Sequence, residues 1–166
     1  MYISQKFKWK RKIELEHEQL ECLWIEIFPE KAKSWLLCTI YRPPDTSLYL
    51  PKNFNELFNN MLEKASNESN SDIVLMGDIN VNFLCRRNND IKSILTLHGL
   101  KQLVTKATRV TENTSSLIDI IATNNESKIV KTEVIPLGIS DHDMIGSVRK
   151  ANHQKHQRRR RIMVEN

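Results

Sequence analysis

Glycine is scarce in this sequence, with four in 166 residues, and two of them, Gly138 and Gly146, bracket one polar stretch near the C-terminal end. Cysteine is scarcer still. Cys22, Cys38 and Cys85 are odd in number and far apart, with no C-x-x-C pair. That spacing suggests neither a zinc site nor a disulfide framework, and reads as buried thiols in a reducing compartment. The opening "MYISQKFKWKRK" has no apolar signal region, and no apolar run approaches the ~18 residues of a membrane span. The expectation is a chain that is not secreted and has no membrane partner, located in the nucleus or the cytoplasm. No internal repeat is visible.

What remains is a globular composition, 40% apolar and 27% charged. The length is that of one domain, enough to bury roughly 70% of the unfolded surface. The net charge of +5 is unevenly spread: residues 1–12 carry five Lys/Arg and no acid, and residues 149–166 carry +6, which leaves the body between them at −6. Basic ends of this kind contact nucleic acid or serve as nuclear addresses, or they are merely solvated tails.

Three early segments read as strands: "ISQKFKWKRKI", "LECLWIEIF" and "SWLLCTIYR". The second is apolar on both faces, Leu23, Ile25 and Ile27 against Cys22 and Trp24, which predicts a strand buried in a layered fold. "PEKAKS" connects it to the third, and the prolines of "RPPDTS" end the third. In "KNFNELFNNMLEKAS" the apolar residues Phe54, Leu57, Phe58, Met61, Leu62 and Ala65 fall at helical spacing and predict a core-facing helix. "DIVLMGDIN" reads as a short strand broken by Gly77. "NDIKSILTLHG" reads as a second helix closed by Gly99, with His98 a capping or surface residue rather than a ligand. After "TRVT" and the turn "ENTSS" come three further strand candidates, "LIDIIATN", "KIVKTEVI" and "DMIGSVR". Strands dominate and helices are inserted among them, an α+β pattern or a layered sandwich. Residues 1–149 form the domain, and 150–166 lack apolar periodicity and read as a mobile tail.

Polar residues interrupt the apolar pattern at three strand ends. Asp78 and Asn80 stand two apart, on one side of an extended chain. Asp119 lies inside the apolar run Leu117–Ile121, where a carboxylate is costly to bury alone. Either an edge strand lets it reach water, or it has a donor, and His142 is the natural one. Asp141 and His142 precede the last strand, in a stretch whose Ser, Asp and Gly also suit a plain turn; Asp143 reads as solvated. Asp78 and Asp141 offer the carboxylate oxygens that a hard divalent cation prefers.

Taken in order, "YRPP", "LMGDIN", "SSLIDII" and "GISDHD" resemble successive motifs of the endonuclease/exonuclease/phosphatase superfamily. The phrases "LWIEI", "YRPPDTS", "LVTKATRVTENTSSLIDIIATN" and "VIPLGISDHDMI" are most similar to the apurinic-type endonuclease domain of non-LTR retrotransposon polyproteins. The resemblance implies a four-layer α/β/β/α sandwich with its site at one edge, present here in part. It implies that Asp78 activates or positions the attacking water and that Asn80 orients water and phosphate. His142, held by Asp119, would contact the scissile phosphate, Tyr41 would hydrogen-bond it, and Asp141 would contribute to a Mg²⁺ site. The tail after Val148 resembles the linker that follows the nuclease, with Arg158, Arg159, Arg160 and Arg161 as contacts to nucleic acid.

The family begins with strands bearing an Asn and a metal-binding Glu, and this sequence starts inside the matching region. The expectation is therefore an N-terminally truncated domain in which Mg²⁺ binding is weakened or lost. Two functions follow: a Mg²⁺-dependent endonuclease that nicks DNA, or a catalytically inactive retrotransposon remnant that binds nucleic acid weakly through its basic ends. A lipid-phosphate phosphatase of the same superfamily fits less well with the phrasing around Arg109 to Asn124.

Overall fold

The computed structural model describes residues 1–30, 32–68, 71–85 and 89–150. The chain lays down strands β1 (Lys8–Arg11), β2 (Glu21–Phe28) and β3 (Trp35–Tyr41), then helix α1 (Phe54–Asn67), β4 (Asp72–Asp78) and helix α2 (Asp90–Leu97). Three two-residue strands follow, β5 (Lys101–Gln102), β6 (Arg109–Val110) and β7 (Ser115–Ser116), and then β8 (Asp119–Thr123), β9 (Ile129–Ile135) and β10 (Met144–Arg149). Six of the strands form one mixed sheet in the order β1-β2-β3-β4-β8-β5. All neighbours in it are antiparallel except β3 and β4. The two central strands, β3 and β4, are parallel because α1 carries the chain from one to the other.

Side-chain alternation divides the sheet into two faces. Trp24, Leu36, Cys38, Ile40, Ile73, Leu75, Ile120 and Ala122 share one face by register and are buried. Their cluster includes Phe54, Leu57, Phe58, Met61, Leu62 and Ala65 of α1 together with Ile91 and Leu95 of α2. The helical periodicity therefore does what the sequence predicts. The guanidinium of Arg42, beyond the end of β3, lies 5.3 Å from the centre of the Phe54 ring and ties the start of α1 to this face.

The opposite face carries Ile25, Leu37, Val74, Met76 and Ile121, and part of it is covered by the β9–β10 hairpin. Arg149 at the end of β10 pairs with Asp72 and stacks on Trp35, its guanidinium 4.8 Å from the ring centre. Val134 and Ile145 pack from the hairpin against the core. The architecture is α+β: helices on one face, a small second sheet on the other. Among the described residues no helix layer lies outside that second sheet.

Three local expectations are corrected. The first strand is only Lys8–Arg11, because a turn closed by the Phe7 N–H on the Ser4 carbonyl precedes it. β8 begins at Asp119 rather than passing through it. The carbonyls of Leu117 and Ile118 are taken by the N–H groups of Phe83 and Ile79, in the loop after β4. Cys85 is exposed, although Cys38 is buried and Cys22 half-buried, and all three are free thiols. The second helix ends as its glycine signals, with Gly99 following at φ +66°, and at its start Asn89 caps it by accepting the Lys92 N–H at 2.8 Å. His98 sits at its C-terminal cap and reaches Asn59 of α1 at 3.0 Å.

Gly77 stands at the crossing of the two central strands. Its φ is +146°, and a Cβ there would lie 1.8 Å from the carbonyl oxygen of Ile40. That contact is with backbone, so no side-chain rotation relieves it. Gly77→Ala should therefore lower stability by about 3 kcal/mol, read as a shift in the urea midpoint at unchanged slope. A midpoint within error of wild type would show that β3 can move aside.

Candidate active site

The close approach at Gly77 lets the Arg42 N–H donate to the Asp78 carbonyl at 2.9 Å, which fixes where β4 ends. Asp78 is the last residue of β4 and Asp119 the first of β8, and the two are register partners. Their side chains therefore rise on the same face, directly opposite each other. Like charges so placed repel, and each carboxylate needs donors of its own.

Asp78 finds them in the turn that follows it. Asn80 adopts φ +50°, a conformation that Asn tolerates better than most residues. Its backbone N–H donates to Asp78 Oδ1 at 2.8 Å, and its side-chain amide donates to the Arg42 carbonyl at 2.9 Å. The half-buried position pushes the Asp78 carboxyl above its ordinary pKa; the Asn80 N–H draws it down, and the neighbouring Asp119 charge pushes it up again.

Asp119 is held from two sides. Thr108, fully buried, donates its hydroxyl to Asp119 Oδ2 at 2.7 Å. The same hydroxyl oxygen accepts the backbone N–H groups of Ile118 and Asp119 at 3.2 and 3.0 Å. His142 Nδ1 lies 3.1 Å from Asp119 Oδ2. An ionised carboxylate only accepts, so Nδ1 carries the proton, and among the described residues Nε2 is left free for another group. One hydroxyl and one imidazole thus account for the carboxylate that looked stranded in an apolar run.

His142 reaches Asp119 because β6 holds its backbone. Arg109 and His142 form an antiparallel bridge, flanked by Val110 N–H to Asp141 O at 2.9 Å and Asp143 N–H to Thr108 O at 2.7 Å. The segment carrying Thr108 therefore docks both partners of Asp119 at once. Asp143 is half-buried rather than solvated.

The structure brings Asp78, Asp119 and His142 together, with donor atoms all within 4.8 Å of one another. Asn80 lies beside them, and Tyr41, 40% exposed, shares the face of Asp78 by strand alternation. The Asp141 carboxylate is turned to Arg109, whose Nε donates to Oδ2 at 2.7 Å and holds the Asp141 carboxyl below its usual range. Arg158, Arg159, Arg160 and Arg161, with the rest of the basic tail, lie outside the described residues. Thr108 and Arg109 were not singled out in the sequence. Their one signal is their place in "TRVT", ahead of a polar turn and the strand bearing Asp119.

Two carboxylates on register-paired strand ends suit a hard divalent cation, which takes oxygen ligands and would relieve their repulsion. Asp119 Oδ2 already serves Thr108 and His142, so Asp78 and the second oxygen of Asp119 are the donors left for it.

No curated protein matches this sequence. Among solved structures, the endonuclease domain of TRAS1, a telomere-specific non-LTR retrotransposon, is similar with a TM-score of 0.67 at 17% identity, over 86% of this chain and 67% of that one. An endonuclease/exonuclease/phosphatase family protein from Leptotrichia buccalis aligns with a TM-score of 0.60 at 17% identity, over 78% of this chain and 54% of its own. The catalytic domain of Xenopus laevis APE2 gives 0.57 at 16% identity, again over 78% and 54%. The chain thus spans between about half and two thirds of these structures. At such identities the likeness is one of fold. Residues 35–146, from β3 to the middle of β10, match the family described as Endonuclease-reverse transcriptase, and the chain belongs to that family of endonuclease/exonuclease/phosphatase domains.

Proposed function

We propose that this chain is a Mg²⁺-dependent phosphodiesterase that nicks DNA, acting as the nuclease part of a retrotransposon protein. The observation that carries the reading is the convergence of Asp78, Asp119 and His142 at the ends of two interior strands, with donor atoms within 4.8 Å. Asp78, with its carboxylate oriented by Asn80, positions the attacking water. His142, oriented through Nδ1 by Asp119, presents Nε2 to the scissile phosphate and offsets the charge that develops there. Tyr41, exposed on the same face, hydrogen-bonds the phosphate from the β3 side. Magnesium held by Asp78 and Asp119, with Asp141 as a further carboxylate, would supply electrostatic stabilisation of in-line attack. The basic run Arg158–Arg161 is assigned to the DNA backbone.

The competing reading is an inactive retrotransposon remnant that binds nucleic acid through its basic ends. The concentration of positive charge in residues 1–12 and 149–166 favours such binding. Nicking of supercoiled plasmid in the presence of Mg²⁺ separates the two. The expected outcome is activity in wild type that falls at least about a hundredfold in Asp78→Ala and in His142→Ala. Salt-sensitive DNA binding without any nicking would establish the competing reading.

Asp78 also links the site to stability. Burial raises its folded pKa above the unfolded value of about 3.9. Its protonated form thus favours the fold at low pH, and that contribution is lost as pH rises through the raised pKa. At pH 7 the ionised carboxylate opposes folding. Asp78→Asn should therefore melt higher than wild type at pH 7 in EDTA, while losing activity, and the gap should close towards pH 3. An unchanged or lower melting temperature at pH 7 would refute this assignment of charge.

A further inference from the structure

Arg109 is not among the residues to which the proposed chemistry gives a role, yet its surroundings are those of a substrate contact. The bridge between Arg109 and His142 is bounded by hydrogen bonds of the flanking residues, Val110 to Asp141 and Asp143 to Thr108. Arg109 and His142 are therefore a non-hydrogen-bonded pair, the type in which opposed Cα atoms come within about 4.5 Å and side chains stand closest. The His142 imidazole of this pair leads to Asp119. The other member is a guanidinium, 45% exposed, whose Nε is fixed on Asp141 Oδ2 at 2.7 Å. Its two terminal nitrogens make no hydrogen bond among the described residues. The charge of Arg109 also reaches Asp78, whose carboxyl it helps to keep ionised.

A surface Arg–Asp pair is worth little to stability. This one, however, leaves the fork of donors that suits a phosphate open beside the imidazole. We infer that Arg109 binds a phosphate of the cleaved DNA strand beside His142, and that Asp141 is its positioning residue. The inference rests on the nuclease reading, and it gives Asp141 a second task beside any it has at a cation. It also explains why an exposed carboxylate is bound to an arginine at the mouth of a site that must receive a polyanion. Without that tether the long side chain would be disordered before substrate arrives.

The test is DNA binding in EDTA, followed by fluorescence anisotropy of a labelled duplex across a salt series, with plasmid nicking measured in parallel. Arg109→Ala should weaken binding roughly tenfold and reduce the slope of log affinity against log salt by about 1. Asp141→Asn keeps the cation but loosens it, and should raise KM for nicking while leaving the salt slope at the wild-type value. Lys101→Ala, a surface lysine paired with Glu126, is the control for loss of one positive charge and should match wild type. Arg109→Ala with the affinity and slope of wild type or of Lys101→Ala overturns the inference. A wild-type protein that binds but does not nick would overturn the nuclease reading and leave the binding result to decide the role of Arg109.

Discussion

Two carboxylates face each other across the middle of the sheet, and much of the local structure exists to hold them there. Asp78 and Asp119 are register partners at the ends of β4 and β8. An antiparallel ladder disfavours like charges directly opposed. The surrounding structure supplies a backbone N–H to one and a buried hydroxyl and an imidazole to the other. Each donor lies on a segment that would otherwise be a free loop. The repulsion is thereby converted into a reason for three loops to have fixed shapes.

The positions of these loops are set by main chain as much as by side chains. Asp78 ends its strand where it does because Gly77 admits the Ile40 carbonyl, and Asn80 turns back because Asn accepts a positive φ. Thr108 organises its neighbourhood through a single oxygen that donates once and accepts twice. A residue so buried and so fully bonded is rigid, and rigidity at the second remove from the reacting atoms keeps an imidazole aimed.

The longer elements could be read from the sequence, because periodicity needs length to be heard. Strands β2, β3 and β4 and helix α1 run long enough for alternation or a helical stripe to stand out, and α2 announces its end by Gly99. Strands β5, β6 and β7 have two residues each and carry no period at all. Asp78, Asn80, Asp119 and His142 were visible because polar residues in apolar strands need a reason. Thr108 was not: a threonine beside a turn is unremarkable until the fold buries it. The pairing of Arg109 with Asp141 joins residues on separate segments and depends on how a short bridge forms, which no local pattern encodes. The apolar run around Asp119 misplaced the start of β8 because Leu117 and Ile118 are bonded to loops instead of to a strand.

The β9–β10 hairpin has a consequence for how the chain is made. Every strand of the main sheet has been synthesised by Thr123, but the imidazole and the hairpin that covers Val74, Met76 and Ile121 come later in the chain. During synthesis at 5–20 residues per second, roughly, the sheet stands with this apolar face bare and its two acids without a histidine. That interval is the window in which the nascent chain is open to chaperones and to aggregation. It closes when Arg149 seats on Trp35 and Asp72, so the strand that covers the apolar face follows directly on the imidazole that completes the site.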